Sequence, residues 1–454
     1  MPTHPSELNE IARRWAIRVG DPAFGDWEAL TAWLEADPAH LAAYDAAVDS
    51  ETWASTALAG KKIRAERMSE PSTPALLKDI LGVQALTTIA DAGRAASPRF
   101  DRQAFLAAAS DGLDALSIME RVRHIADALA IALPADYPAA LPIVRAMAPR
   151  LTHGFQAVAV TEYVARHGLG DFEASMAALA DLTRHGTAEF AIRPFLAQAP
   201  DRTLAMMLRW TDHENEHVRR LASEGCRPRL PWAARVPALK ADPTLGAPIL
   251  EALKADPALY VRKSVANHLN DIAKDRPDWL LGRLTTWSQD DAATKWIVRH
   301  ALRTLIKAGD PRALALIGVG HGAAVTVQRF AVEPATIRLG DQIAIAATLL
   351  SDATDAQSLV VDYRIHYARA GGKTAAKVFK WKSFDLAAGE TASLAIRQTI
   401  RDFSTRRHHP GRHAVDLIVN GRTMATSAFE IEGEPAVSQN TVILVAEGRV
   451  HQAP

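Results

Sequence analysis

Side chains capable of chemistry crowd together in the segment Glu214–Trp232, ENEHVRRLASEGCRPRLPW. Four arginines, Arg219, Arg220, Arg227 and Arg229, surround one carboxylate, Glu224, and the stretch closes on a stiff Pro-x-Leu-Pro-Trp ending at Trp232. Packing a helical repeat does not demand that mixture. Cations beside an acid and an aromatic ring suit a polyanion whose sugar becomes positively charged as a bond to it breaks. Carboxylates stabilise such a cation and position water, and aromatic faces attract cations. Glu216, Arg220 and Glu224 fall at i, i+4 and i+8, which a surface ion-pair ladder would also produce. Gly225 is expected to end the helix, leaving Glu224 at the negative end of the helix dipole, where an acid is disfavoured. A local cost of that kind fits a functional acid better than a structural one. Trp232 follows Pro231 in a stiff turn, where the alternative role is a plug between helices.

Three further stretches carry candidates. In TAEFAIRPF, Thr187 reads as a helix N-cap that places Glu189 in the first turn. The helix dipole alone rewards an acid there with about 0.3–1 kcal/mol. In YVRKSVANHLNDIAKD, Asn267, Asn270, Asp271 and Lys274 share one helical face. The asparagines are candidates for substrate contact or for cross-links between turns, and Asp271 for positioning water or capping the next turn. In KWIVRHALRTLIKAGD, Lys295, Arg299, Arg303 and Lys307 recur every four residues with few acids nearby. A solvated helix face would look the same, but phosphate contact is the stronger expectation, since phosphate binding rests on point charge and helix termini.

These candidates need a scaffold. From 72 to 320 alanine and leucine recur at helical spacing, punctuated by glycine and proline. Val218-Arg219-Arg220, Val261-Arg262-Lys263 and Val298-Arg299-His300 are expected to begin equivalent helices. Their separations of 43 and 37 residues approach the about 40–47 of HEAT-like helical pairs. The expected architecture is mainly α: a HEAT-like solenoid in which Arg219, Arg220, Lys263 and Arg299 form a basic stripe. From 322 to 433 apolar and polar residues alternate in seven short runs separated by turns such as LGDQ, HPGR and NGR, which predicts an all-β immunoglobulin-like sandwich. Between Val361 and Met424 there are 12 Lys/Arg against 5 Asp/Glu, a local basic excess. Residues 1–60, with Trp15, Trp27, Leu30, Trp33, Leu34 and Tyr44 at helical spacing, predict a small helical bundle. Residues 61–71 form a basic linker and 434–454 a weakly ordered tail.

Composition narrows the class. The 454 residues suffice for more than one domain, and a formal net charge of +0 argues against a uniformly basic protein. One cysteine, Cys226, excludes an internal disulfide and fits a reducing compartment. No signal peptide is apparent, and no run of 18 or more apolar residues predicts a membrane span. Neither HExxH nor CxxC spacing occurs, so neither a metal nor a cofactor is expected.

TAEFAIRPF, EHVRRLASEGCRPRLPW, YVRKSVANHLNDIAKD and VRHALRTLIKAGD, in that order after FDRQAFLAAASDGLDAL and RVRHIADAL, resemble the AlkC group of DNA alkylation repair glycosylases. The resemblance spans roughly residues 70–320 and, more loosely, the sandwich. It implies release of 3-methyladenine and 3-methylcytosine from duplex DNA without flipping the base into a pocket. These cationic bases leave readily and need no protonation. It also implies a C-terminal domain that grips DNA near the lesion. Carried onto this chain, Glu189, Glu224 and Asp271 become the catalytic or sugar-contacting acids. Trp232, Asn267 and Asn270 become substrate contacts. The arginines around Glu224, with Lys263, Lys295, Arg299, Arg303 and Lys307, become DNA contacts. A cytoplasmic, nucleoid-associated monomer is expected. ARRWAIRV and WEALTAWLEADPAHLAAY resemble the N-terminal segment of FecR-type sigma-factor regulators, and Met68 opens a sequence that reads like a fresh start. Residues 1–67 are therefore expected to be a fused accessory module or an upstream extension.

Overall fold

The computed structural model describes Ile11 and residues 77–320, 322–369, 373–402 and 408–433. The expectations for the N-terminal bundle, the basic linker and the C-terminal tail lie outside these residues, Ile11 excepted. The chain divides into two compact units, with the division at His321 and Gly322.

The first unit is helical. Its helices are α1 (Val83–Ala96), α2 (Arg102–Ser110), α3 (Ile118–Ala132), α4 (Tyr137–Met147), α5 (Gly154–His167), α6 (Phe172–Leu182), α7 (Arg193–Gln198) and α8 (Pro200–Trp210). They continue with α9 (Glu216–Gly225), α10 (Pro237–Ala241), α11 (Ala247–Ala252), α12 (Leu259–Asp275), α13 (Pro277–Leu284), α14 (Ala292–Ala301), α15 (Arg303–Ala308) and α16 (Pro311–Leu316). Short polar residues set many of the starts. Asp101, Asp136, Asn215, Asp291 and Asp310 each accept a hydrogen bond from the first turn of the helix that follows. Ser117 and Glu120 complete a capping box on α3. The apolar stripes merge into one core that runs from Leu81 to Ala313.

The repeat is visible in the packing: α9 lies against α12, and α12 against α14. Val218, Val261 and Val298 are all fully buried. The first two are the third residues of their helices, as the repeat suggests. Val298, however, lies in the second turn of α14, because Asp291 caps that helix seven residues ahead of it. The basic helix expected from Lys295 to Lys307 is interrupted at Leu302, between α14 and α15. Among the described residues no helix is long and apolar enough to cross a membrane.

The second unit is an immunoglobulin-like β-sandwich. Its strands are β1 (Val325–Glu333), β2 (Thr336–Ile337), β3 (Gln342–Ser351), β4 (Gln357–Ala368), β5 (Thr374–Leu386), β6 (Thr391–Thr399), β7 (Gly411–Val419) and β8 (Arg422–Ile431). One sheet has the order β1-β3-β6 and the other β2-β8-β7-β4-β5. All seven expected runs form strands. The eighth, β2, is two residues long and pairs parallel to β8, too short to show alternation in sequence. Ile343, Ile345, Ala347 and Leu349 of β3, and Val361, Tyr363, Ile365 and Tyr367 of β4, are all buried, as period-two alternation requires. Asn420 and Gly421 both take positive φ, 47° and 78°, the geometry that lets a two-residue loop join β7 to β8.

Candidate active site

The three nominated acids come from three successive parts of the helical repeat. Asn215 starts α9 by accepting from the His217 amide, and nine residues on, Glu224 is the last side-chain-bearing residue before Gly225 ends the helix. Gly225 is required there, since a Cβ would lie 2.6 Å from Ile192 Cγ2. Asp271 sits in the last turns of α12. Glu189 lies in a turn ahead of α7, which corrects the expectation of a helix starting at Thr187. Pro194 belongs in the first turn of a helix, and α7 begins only at Arg193. Thr187 still acts as a local cap, accepting from the Glu189 amide at 3.2 Å.

Two guanidiniums join these acids into one chain. The Thr187 hydroxyl donates to Glu189 Oε2 at 2.7 Å, and Arg220 donates to both Thr187 Oγ1, at 2.9 Å, and Glu189 Oε2. Arg220 Nη2 lies 3.6 Å from Glu224 Oε1. Arg227 donates from Nη1 to the same Glu224 oxygen at 2.5 Å and from Nε to Asp271 Oδ2 at 2.9 Å. Lys274 ends the line, 3.6 Å from Asp271 Oδ1. Glu189, Glu224 and Asp271 are 9%, 4% and 3% exposed. Behind them a Ser223–Ser264 hydroxyl pair at 2.6 Å ties α9 to α12.

Burial pushes the Glu224 carboxyl up, but Arg227 and Arg220 outweigh it and hold the pKa at about 2. Burial likewise works against the charge of Arg220 and Arg227, and their carboxylate neighbours overcome it and raise both. Glu224 is therefore ionised at neutral pH and has no proton to give. With Lys274 the line holds three carboxylates and three cations and is balanced in charge, while Glu224 stays ionised and is held in place by two guanidiniums, an arrangement that can stand opposite a developing cation.

Trp232 is not the plug it could have been. It is 52% exposed, and its φ of +60° places an ordinary residue in the left-handed region, at a cost of about 1–2 kcal/mol. Its ring leans on Phe155, with centroids 6.3 Å apart and planes 40° apart.

Against this geometry the relatives can be weighed. The family model for DNA alkylation repair enzymes matches residues 177–305, which include all three acids and Trp232. A second model, for the C-terminal Ig-like domain of the uncharacterised protein YhaZ, matches 326–433. Uncharacterised YhaZ of Bacillus subtilis is 38% identical over 356 residues, covering 78% of this chain and 99% of that protein. The solved alkylpurine DNA glycosylase AlkC of Pseudomonas fluorescens, bound to DNA containing an abasic site analogue, is 50% identical. That match covers 79% of this chain and 99% of that one, with a TM-score of 0.76. The chain belongs to the AlkC-type DNA alkylation repair enzymes.

In this AlkC-type chain the remaining nominated residues separate into groups. Of the four arginines expected around Glu224, only Arg220 and Arg227 reach it. Arg219 makes a two-bond pair with Asp256, at 2.7 and 3.1 Å, and donates to the carbonyls of His213 and Glu214. Arg229, beyond the end of α9, pairs the same way with Asp275 at 2.8 and 2.7 Å. Arg227, expected as a DNA contact, is 8% exposed and its guanidinium is engaged by Glu224 and Asp271 inside the acid chain. Asn270 is 3% exposed and donates to the Ala301 carbonyl and to Thr304 Oγ1. This is the helix-to-helix cross-link that asparagines make, and it replaces the expected substrate contact. Asn267, half-buried, accepts from Arg303 at 3.0 Å. Lys263 and Arg299 are half-buried, while Lys295 and Lys307 are exposed.

Two residues went unassigned in the sequence. Tyr260 is 39% exposed at the start of α12, with the Arg220 guanidinium 5.2 Å from its ring centroid. It opens the same stretch that carries Asp271, and a lone tyrosine beside a V-R-K triad gave no signal. The second is Arg193, within TAEFAIRPF, which is buried.

Proposed function

We propose that this chain is a DNA glycosylase of base excision repair. It hydrolyses the N-glycosidic bond of cationic alkylated bases, 3-methyladenine and 3-methylcytosine, in duplex DNA without flipping the base. The observation that carries the reading is the arginine-bridged line of Glu189, Glu224 and Asp271 in a chain of the AlkC type, with an exposed, left-handed Trp232 close by in sequence to Glu224. A base that is already cationic departs without protonation, so the reaction asks for charge stabilisation and an oriented water. Glu224, ionised down to about pH 2, supplies the first and cannot act as a general acid. The ionised, arginine-held carboxylates favour an oxocarbenium-like sugar over its neutral ground state. Trp232 offers its face to the same cation. Exposed Lys295 and Lys307 contact phosphates, and the basic sandwich, with Lys380 and Lys382 exposed on β5, grips the duplex near the lesion. The protein works as a cytoplasmic monomer with no cofactor.

The deciding experiment is release of free base from dimethyl-sulfate-treated duplex DNA. Release of 3-methyladenine or 3-methylcytosine by the intact chain, lost in Glu189→Gln or Glu224→Gln while duplex binding persists, is expected. Binding without release would instead leave a DNA-binding protein that performs no chemistry.

A further inference from the structure

Arg193 opens α7 and is 2% exposed, as buried as the aliphatic core around it. Among the described residues no carboxylate pairs with it, in contrast to Arg220 and Arg227. Its hydrogen bonds all go to main-chain carbonyls: Nε donates to Ala234 O at 2.7 Å, and Nη1 donates to Gly225 O at 2.9 Å and Arg227 O at 2.8 Å. A buried cation without a counter-ion is costly, so three well-made bonds at one guanidinium call for an explanation.

The acceptors supply it. Gly225 O is the last carbonyl of α9, at the end where carbonyls lack helical partners and carry the negative end of the dipole, and Arg227 O lies two residues past that end. A cation placed there offsets the unfavourable position of Glu224 one residue earlier. Ala234 O lies two residues beyond Trp232, across the turn in which Trp232 takes its positive φ. One planar group thus grips the chain on both sides of the Cys226–Ala233 segment. A lysine has no equivalent fork with which to span the two sides.

We infer that Arg193 is a positioning residue of the active site: by tying Gly225, Arg227 and Ala234 together it fixes the Glu224 carboxylate relative to the Trp232 ring. The inference rests on the reading above, in which Glu224 and Trp232 flank the reacting sugar. It gives the buried arginine of TAEFAIRPF a role in the geometry of catalysis, distinct from contact with DNA.

The test uses the full chain with Arg193→Met, Arg193→Lys, Trp232→Ala and the Arg193→Met/Trp232→Ala double variant. Circular dichroism checks folding. Hydrogen exchange over residues 226–236 reports the turn, single-turnover release of 3-methyladenine reports chemistry, and a duplex bearing an abasic analogue reports binding. The expected result is faster exchange at 226–236 in Arg193→Met, with at least a ten-fold loss of rate and little loss of duplex affinity. Trp232→Ala should then cost far less in the Arg193→Met background than alone, since both act through one geometry. Arg193→Lys should recover only part of the rate. Additive losses, or unchanged exchange at 226–236, would overturn the inference, as would failure of both single variants to fold, which would make Arg193 a staple of the fold alone. If the unaltered protein releases no base, the glycosylase reading fails on its own, while exchange at 226–236 still decides whether Arg193 holds the turn.

Discussion

Replacing Glu224 by glutamine keeps the shape of the side chain and removes its charge. Held at about 2 instead of 4.5, the ionised carboxylate favours the folded state by about 3 kcal/mol at neutral pH. Because the folded pKa is depressed, that contribution is complete above about pH 4.5 and disappears as pH falls toward 2. Glutamine forfeits it, yet Arg220 keeps Glu189 and Arg227 keeps Asp271. The expected loss is therefore about 1–3 kcal/mol, below the about 3–5 kcal/mol of a buried pair stripped of its partner. Urea unfolding at pH 7 and pH 3 checks both halves: the gap between the two proteins should narrow at the lower pH. The same change removes one of the three negative charges of the bridged chain and leaves its three cations in excess. Single-turnover base release should then fall about 10²–10³-fold, the scale seen when one preorganised electrostatic group is removed from a transition state. Duplex binding should hardly change. A variant destabilised as described, yet within ten-fold of the unaltered rate, would show that Glu224 serves the fold and not the reaction.

Other expectations concern the surroundings of the site. Asn270→Leu strands the Ala301 carbonyl and Thr304 hydroxyl and should cost about 1–3 kcal/mol in chemical denaturation; a matching loss of base release at saturating enzyme would restore Asn270 to the substrate contacts. His268, buried with Nδ1 donating to Ser223 O at 3.0 Å, has its pKa pulled by burial to about 4. Its stabilising contribution is full above about pH 6.5 and lost as pH drops through 4, so His268→Asn should flatten the pH dependence of the urea midpoint in that window. Lys295→Gln removes an exposed cation with no ion-pair partner among the described residues. It should shrink the slope of log affinity against log salt by about 0.9, and an unchanged slope would take Lys295 off the DNA surface.

Much of the fold could be read from periodicity. Strands β3 and β4 declare themselves by strict alternation, and Asn420-Gly421 marks its own hairpin. The helical repeat shows through Val218, Val261 and Val298, all of which are buried. What stayed hidden was partner choice. Glu224, Asp271 and Glu189 stand out singly, but nothing in their spacing says that Arg227 reaches 44 residues along the chain to Asp271, or that Arg219 turns instead to Asp256. Charge-pair geometry is fixed by how helices pack, and four arginines in one stretch look alike until they do. Trp232 was legible as an aromatic in a stiff turn, whereas its left-handed backbone was not, since glycine or asparagine is the usual sign of that conformation. Thr187 has the same cap chemistry in a free turn as at a helix start, so its sequence context does not separate the two.

The two bridging arginines have a mechanical consequence. Each carboxylate hangs from a different helical layer, so the distances between them are set by the pitch of the stack and not by any one helix. Arrays of repeats flex through small changes between neighbours. Arg220 and Arg227 act as tie rods across those joints: stretching the stack must first break an ion pair buried from water. A partner or a bent duplex that strained the array would load these ion pairs, and no single repeat lifted out of this chain would carry the site with it.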